Sequence, residues 1–186
     1  MLDETLMPQS FLAVLRGVRT RNWSGTGVEA FLRDYGPPEY HSAEEYERAV
    51  GSPFPPGMRP TPANSRPFET DPNAETLYLA PRERARAAYN DVLDHFHLDG
   101  LVYPAVLMPP PDETVPPYAE PHSNTGWINP LGVPAVAVPA GFYANGLPFG
   151  LEISARRWAD ADLLGWAYSY EQSTKHRRPP SLVASG

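Results

Sequence analysis

Residues Asn129–Arg157 read NPLGVPAVAVPAGFYANGLPFGLEISARR, and their pattern decides the fold class. Two short apolar runs, AVAVPAGF and LPFGLEIS, flank Asn145-Gly146. An Asn-Gly pair between alternating apolar residues is the strongest short hairpin signal, because both positions tolerate the positive φ of a tight turn. Strand alternation puts Val136 and Val138 on one face of the first strand, and Leu151 and Ile153 on one face of the second. Asn129, Gly132, Pro134, Pro139 and Gly141 read first as backbone geometry, a turn leading into a sheet.

Working outward, residues 81–96 carry Ala85, Ala88, Tyr89, Val92, Leu93 and Phe96 at helical spacing. Pro81 suits the first turn of this helix and Gly100 ends it. Arg82, Arg84 and Arg86 fall on its solvated side. LVYPAVLMPP then reads as a short apolar strand cut off by prolines, and a helix leading directly to such a strand is an α/β signal. Downstream of the hairpin, Asp160 is placed to cap a last helix whose buried side is Leu163, Leu164, Ala167 and Tyr170. TKHRRPP follows as a basic tail.

The first half is less regular. Phe11, Leu12, Leu15 and Val18 mark one helix, and a second runs from Gly27 to Tyr35. Ser42 with Glu45 three residues on forms a capping box for AEEYERAV. Gly51–Ala74 is too rich in proline for a helix or central strand, and reads as a long surface loop or a linker. The organisation expected is a variable helical segment over 1–50, a Pro-rich loop over 51–74, an α/β portion over 75–180 and a tail over 181–186.

Composition narrows the function classes. The chain has 186 residues and a net charge of -7, which argues against a nucleic-acid partner, since phosphate neutralisation needs a basic surface. With no cysteine there are no disulfides, thiolate nucleophiles or Cys-ligated metals, which fits a reducing cytoplasm. The N-terminus carries acids where a signal peptide needs bases. No stretch approaches the roughly 20 apolar residues of a membrane helix. The 24 prolines confine regular structure to a few islands. Asp94, His95, His97 and Asp99 form the one cluster resembling metal ligands, yet histidines at a helix C-terminus are stabilised by its dipole without a metal. His122, Ser123 and an aspartate could compose a triad on paper, but adjacent side chains rarely face each other and no Gly-x-Ser-x-Gly elbow exists.

From about Pro81 to Pro180, the strand after Asp99-Gly100, the run NPLGVPAVAVPAGF, the run NGLPFGLEI and the helix ending in YEQSTKHRRPP together resemble the C-terminal part of the amidase signature family. The resemblance implies an α/β sandwich, a mixed β-sheet flanked by helices, of which this chain is a part that is incomplete as a stand-alone domain. It also implies hydrolysis of carboxamides, or ammonia transfer from them, through a nucleophilic serine, a second serine and a buried lysine. A serine hydroxyl needs a base to take its proton, and a lysine serves only where burial lowers its pKa. Those residues are missing here. No two serines are adjacent, and the single lysine, Lys175, stands beside His176, Arg177 and Arg178 as a solvated cation.

The expectation is therefore a C-terminal portion or small subunit of an amidase, with a second polypeptide supplying Ser, Ser and Lys, and with no metal or organic cofactor. Its counterpart is an inactive remnant or an interaction module. The integrity of the matched region favours the first, and a chain opening on Met inside what should be a domain favours the second. The resemblance places the substrate pocket beside the approach segment HSNTGWIN, with His122, Trp127 and Asn129 as its lining. His122 stands about where ammonia-transferring members carry an acid, which argues against a free amino acid as substrate. For His122 and Trp127 both pocket lining and ordinary packing stay open.

Overall fold

In the computed structural model, the structure describes residues 9–54, 59–110 and 123–179. Their helices are α1 (Gln9–Arg16), α2 (Ser24–Tyr35), α3 (Ala43–Val50), α4 (Ala80–His95), α5 (Ile128–Leu131) and α6 (Asp160–Thr174). The strands are β1 (Gly100–Pro104), β2 (Ala135–Phe142) and β3 (Pro148–Ala155). The chain divides into two units, Met1–Ala87 and Ala88–Gly186. Among the described residues no helix is long and apolar enough to cross a membrane.

In the first unit, prolines and aromatics organise a helical assembly. Trp23 is buried, with its ring edge-on to Phe68 and Tyr78 at centroid distances of 5.1 and 5.9 Å. Its indole N–H donates to Asp71 at 3.0 Å. These contacts tie the Pro-rich segment to the start of α2. Gly25 makes the approach possible, since a Cβ there would stand 2.3 Å from Asn64 Oδ1 and 2.9 Å from Pro60 Cα. Ser42 caps α3 by accepting the Glu45 N–H at 3.2 Å, while the Glu45 carboxylate reaches back to the His41 N–H at 2.7 Å. This is the expected box, with its return bond one residue early.

A π-helical turn, Glu75–Leu79, leads into α4. Pro81 has no N–H to give the carbonyl of Leu77, and the Arg19 N–H donates to that oxygen instead at 2.8 Å. Arg86 departs from the solvated side expected for it. Its side chain is only 11% exposed and pairs with Glu83 at 2.5 Å. Arg82 lies over the Tyr78 ring at 5.5 Å, an arginine using its flat face on an aromatic.

The second unit is built on a three-stranded sheet in the order β1-β3-β2, with both pairings antiparallel. Val136 stands opposite Ile153 and Val138 opposite Leu151, so the two faces read from the alternation meet as one. That face is buried under α6, where Val138, Ile153, Ala155 and Leu163 form a core flanked by Trp166, Ala167 and Tyr170. Asn145-Gly146 turns the hairpin, with Gly146 at φ 84° and the Tyr143 N–H donating to the Leu147 carbonyl at 2.8 Å. The register slips between Pro139 and Gly141, a bulge beside the one residue of β2 that has no N–H to donate.

Three expectations about helix faces change. Leu164 is 64% exposed rather than part of the buried side of α6, because Leu163, Trp166, Ala167 and Tyr170 already fill the sheet-facing stripe. Asp160 is the first residue of α6 and not its cap; Ala159 holds that position with no side-chain bond, and Asp160 acts through its charge on the helix N-terminus. Phe96 is 47% exposed, since α4 ends at His95 and the chain leaves helical geometry through His97 at φ 54°.

Candidate functional site

The sheet face opposite α6 carries chemistry of a different kind. On β3 it presents Glu152 and Ser154, and the register sets Tyr103 across from Glu152 and Leu101 across from Ser154. Tyr89, fully buried on α4, reaches this face and donates to the carbonyl of Ala155 at 3.3 Å, with the Ser154 hydroxyl also at 3.3 Å. The Tyr103 hydroxyl donates to the Glu152 carboxylate. Trp127 lies between the two tyrosines, its ring 5.4 Å from each. A Tyr–Trp–Tyr stack thus lies on this side of the sheet.

Burial, the hydrogen bond to Glu152 and the carboxylate's charge all push the Tyr103 phenol far above the ordinary tyrosine value. Burial also raises the Tyr89 phenol above its ordinary value. Both phenols stay protonated and act as fixed donors. Beyond the stack, Ala135, Ala137 and Pro139 of β2 are exposed, leaving a floor of small side chains beside the half-buried Glu152.

The approach segment is pinned to the end of β1. Ser123 bridges to Val106, the Asn124 N–H donates to the Ala105 carbonyl at 2.9 Å, and its side-chain amide donates to the Pro104 carbonyl at 3.0 Å. The Ser123 hydroxyl is taken up locally, bonded to the Thr125 hydroxyl at 2.8 Å and to the Thr125 N–H at 3.2 Å. An apolar cleft of about 300 Å³ opens nearby, lined by Ala105, Val106, Met108, Tyr143, Pro148 and Phe149.

The expected lining residues fare differently. Trp127 stands at the N-cap of α5, half-buried in the aromatic stack. Asn129 lies exposed on α5 and its carbonyl accepts the Gly132 N–H at 3.1 Å, the turn geometry read from its motif. The two are separated by one residue on a single turn, so they point to different sides. His122 lies outside the described residues. Sequence reasoning passed over Tyr103 and Glu152. The signal was available, since Leu151 and Ile153 on one face of β3 put Glu152 on the other.

Neither serine near this face is free to act as a nucleophile: Ser154 is sealed under Tyr89, and Ser123 is engaged with Thr125. Lys175 is exposed at the C-cap of α6, as the basic tail suggested. Asp94 of the His-rich cluster pairs with Arg156 at 2.6 Å, and among the described residues no three His, Asp or Glu side chains converge as a metal site.

Comparison with known proteins bears on these features together. The family described as Amidase matches residues 55–164, more than half of the chain. The chain belongs to the amidase family. It is 52% identical over 56 residues to the glutamyl-tRNA(Gln) amidotransferase A subunit from Moorella thermoacetica, a stretch that is 30% of this chain and 11% of the relative. The corresponding protein from Roseobacter denitrificans is 50% identical over 46 residues, 25% of this chain and 9% of the relative. Among solved structures, the peptide amidase from Stenotrophomonas maltophilia superposes with a TM-score of 0.62 at 23% identity, over 92% of this chain and 35% of that one. An amidase family protein from Bacillus anthracis superposes with a TM-score of 0.63 at 22% identity, over 89% of this chain and 32% of that one. The fold is that of part of an amidase-signature enzyme. The chain spans about a tenth of the curated relatives it matches, and about a third of its fold neighbours.

Proposed function

We propose that this chain is the C-terminal portion of an amidase-signature hydrolase whose Ser, Ser and Lys are supplied by a second polypeptide, and that the assembly cleaves carboxamide C–N bonds through an acyl-enzyme. In this reading the chain completes the sheet and forms one wall of the substrate pocket. His122, Trp127 and Asn129 are the residues proposed to contact the substrate, and the Tyr89–Trp127–Tyr103 stack holds Trp127 in place. The chemistry asks nothing further of this chain, because activation of the serine and release of the amine occur on the partner. Its contribution is position, which governs how the amide meets the nucleophile.

The observation that carries the proposal is the state of the aromatic face. It is fully bonded and packed around Trp127, yet it gives way to the exposed small residues Ala135, Ala137 and Pro139 beside Glu152. A chain that had lost its role would have no reason to keep a satisfied polar network next to an open floor. The amidases that resemble it extend well beyond the part aligned here, which leaves room for a catalytic partner.

The test is reconstitution. The chain is combined with the triad-bearing polypeptide from its source, and release of ammonia from simple carboxamides is followed. Trp127→Ala should raise KM for bulky amides more than it lowers kcat, and Asn129→Ala should raise KM to a smaller extent. Absence of hydrolysis by any such assembly contradicts the proposal.

A further inference from the structure

Helix α6 is apolar on two sides. Leu163, Trp166, Ala167 and Tyr170, at i, i+3, i+4 and i+7, meet the sheet. Ala161, Leu164, Gly165 and Tyr168 repeat that spacing on the other side, where all four are exposed, Leu164 and Tyr168 by 64% each. Two polar stripes separate these faces, Asp162 and Ser169 along one border, Asp160 and Glu171 along the other. A helix at the surface of a finished protein shows one apolar stripe, and one apolar on both sides is made to be buried between two layers.

Two further features belong to the open face. Gly165 has nothing within 4 Å of where its Cβ would be, so nothing among the described residues accounts for a glycine in mid-helix. With Ala161 one turn before it, it leaves a shallow groove into which another helix can settle closely. Just ahead of α6, Trp158 is 80% exposed at φ 70°, with Arg157 stacked over its ring at 4.7 Å. Exposed Trp and Tyr beside a groove are the side chains that dominate protein interfaces.

The charges select the occupant. Helix α6 carries Asp160, Asp162 and Glu171 and no lysine or arginine, in a chain of net charge -7. Along the length of the helix two copies meeting through this face would set acid against acid, since Arg157 and Lys175 lie beyond its ends. From this we infer that the second face of α6 docks an amphipathic helix with a basic rim, belonging to the polypeptide that carries the catalytic serines and lysine. The inference rests on the function proposed above and adds where the two chains meet.

The experiment uses the tagged full chain expressed in its source and purified without denaturation, with the partner identified by mass and sequence. Wild type and Ser169→Glu, a control on a polar border, should each retain a chain bearing an adjacent serine pair and a lysine. Leu164→Glu/Tyr168→Glu should retain at least tenfold less, with an unchanged far-UV circular dichroism spectrum. Asp162→Lys/Glu171→Lys should also lose partner, most strongly at low salt, where exposed charges are least screened. If wild type holds the triad-bearing chain and the Leu164/Tyr168 variant holds it equally well, the docking surface lies elsewhere and the amidase reading stands. If wild type holds a second copy of itself, the face is a dimer contact and the inference fails. If it holds neither, the amidase reading fails and the inference with it.

Discussion

Of the two interpretations open for Trp127, the structure displays its packing. Trp127 fills the space between Tyr89 and Tyr103, and it stands at the head of α5 beside the expected substrate wall. Truncating a packed tryptophan to alanine costs roughly 3–5 kcal/mol in a core. Because Trp127 is half-buried, Trp127→Ala should fall at the low end of that range, and Trp127→Phe should recover most of the loss, as read by urea unfolding. The Tyr103–Glu152 pair makes a second prediction. The folded state raises the Tyr103 pKa, so the folded chain holds this proton more tightly than the unfolded chain does. Its contribution to stability is then complete below the ordinary tyrosine value of about 10 and is lost as pH rises beyond it toward the folded value. Unfolding free energies at pH 9 and 11 should differ for the wild type, and Tyr103→Phe should remove part of that difference. Neither residue stands out in the sequence, because a tyrosine in an apolar strand and a glutamate between Leu151 and Ile153 acquire meaning only when the register sets them opposite one another.

At the level of elements, local chemistry carried most of the reading. Asn145-Gly146 announced the hairpin and Ser42 with Glu45 announced α3, since the residues that make a turn or a cap do so within a few positions of themselves. Helix faces were harder. Leu164 follows Leu163 and looks equally core-bound, but adjacent helical residues point about 100° apart, and the sheet takes only one of them. The Pro-rich segment was illegible for another reason. Its order rests on Trp23, Gly25 and Asp71, whose contacts reach across as many as 48 residues into that segment and leave no local pattern. Gly25→Ala should therefore destabilise the first unit by about 1–3 kcal/mol through overpacking against Asn64 and Pro60. Gly146→Ala should cost the hairpin about 1–2 kcal/mol for placing a Cβ at positive φ. Both are measurable by thermal unfolding monitored separately through tryptophan fluorescence and far-UV circular dichroism.

For the molecule as a whole, the family was legible because its motif runs are contiguous in the chain, and the fold bears that reading out. The site was legible only in part. Asn129 and Trp127 lie on one short helix, whereas the aromatic stack and the open floor beside Glu152 are assembled from α4, β1, β2 and β3. These 186 residues hold no adjacent serine pair and a single, exposed lysine, which is why the function proposed here calls on a second polypeptide. The measurement that tests this most directly is a native mass of the protein isolated from its own source, followed by a denaturing mass and sequencing of its components. The account predicts a complex in which this chain accompanies a polypeptide with an adjacent serine pair and an upstream lysine, and which releases ammonia from a carboxamide. A lone species of 20.5 kDa would contradict it.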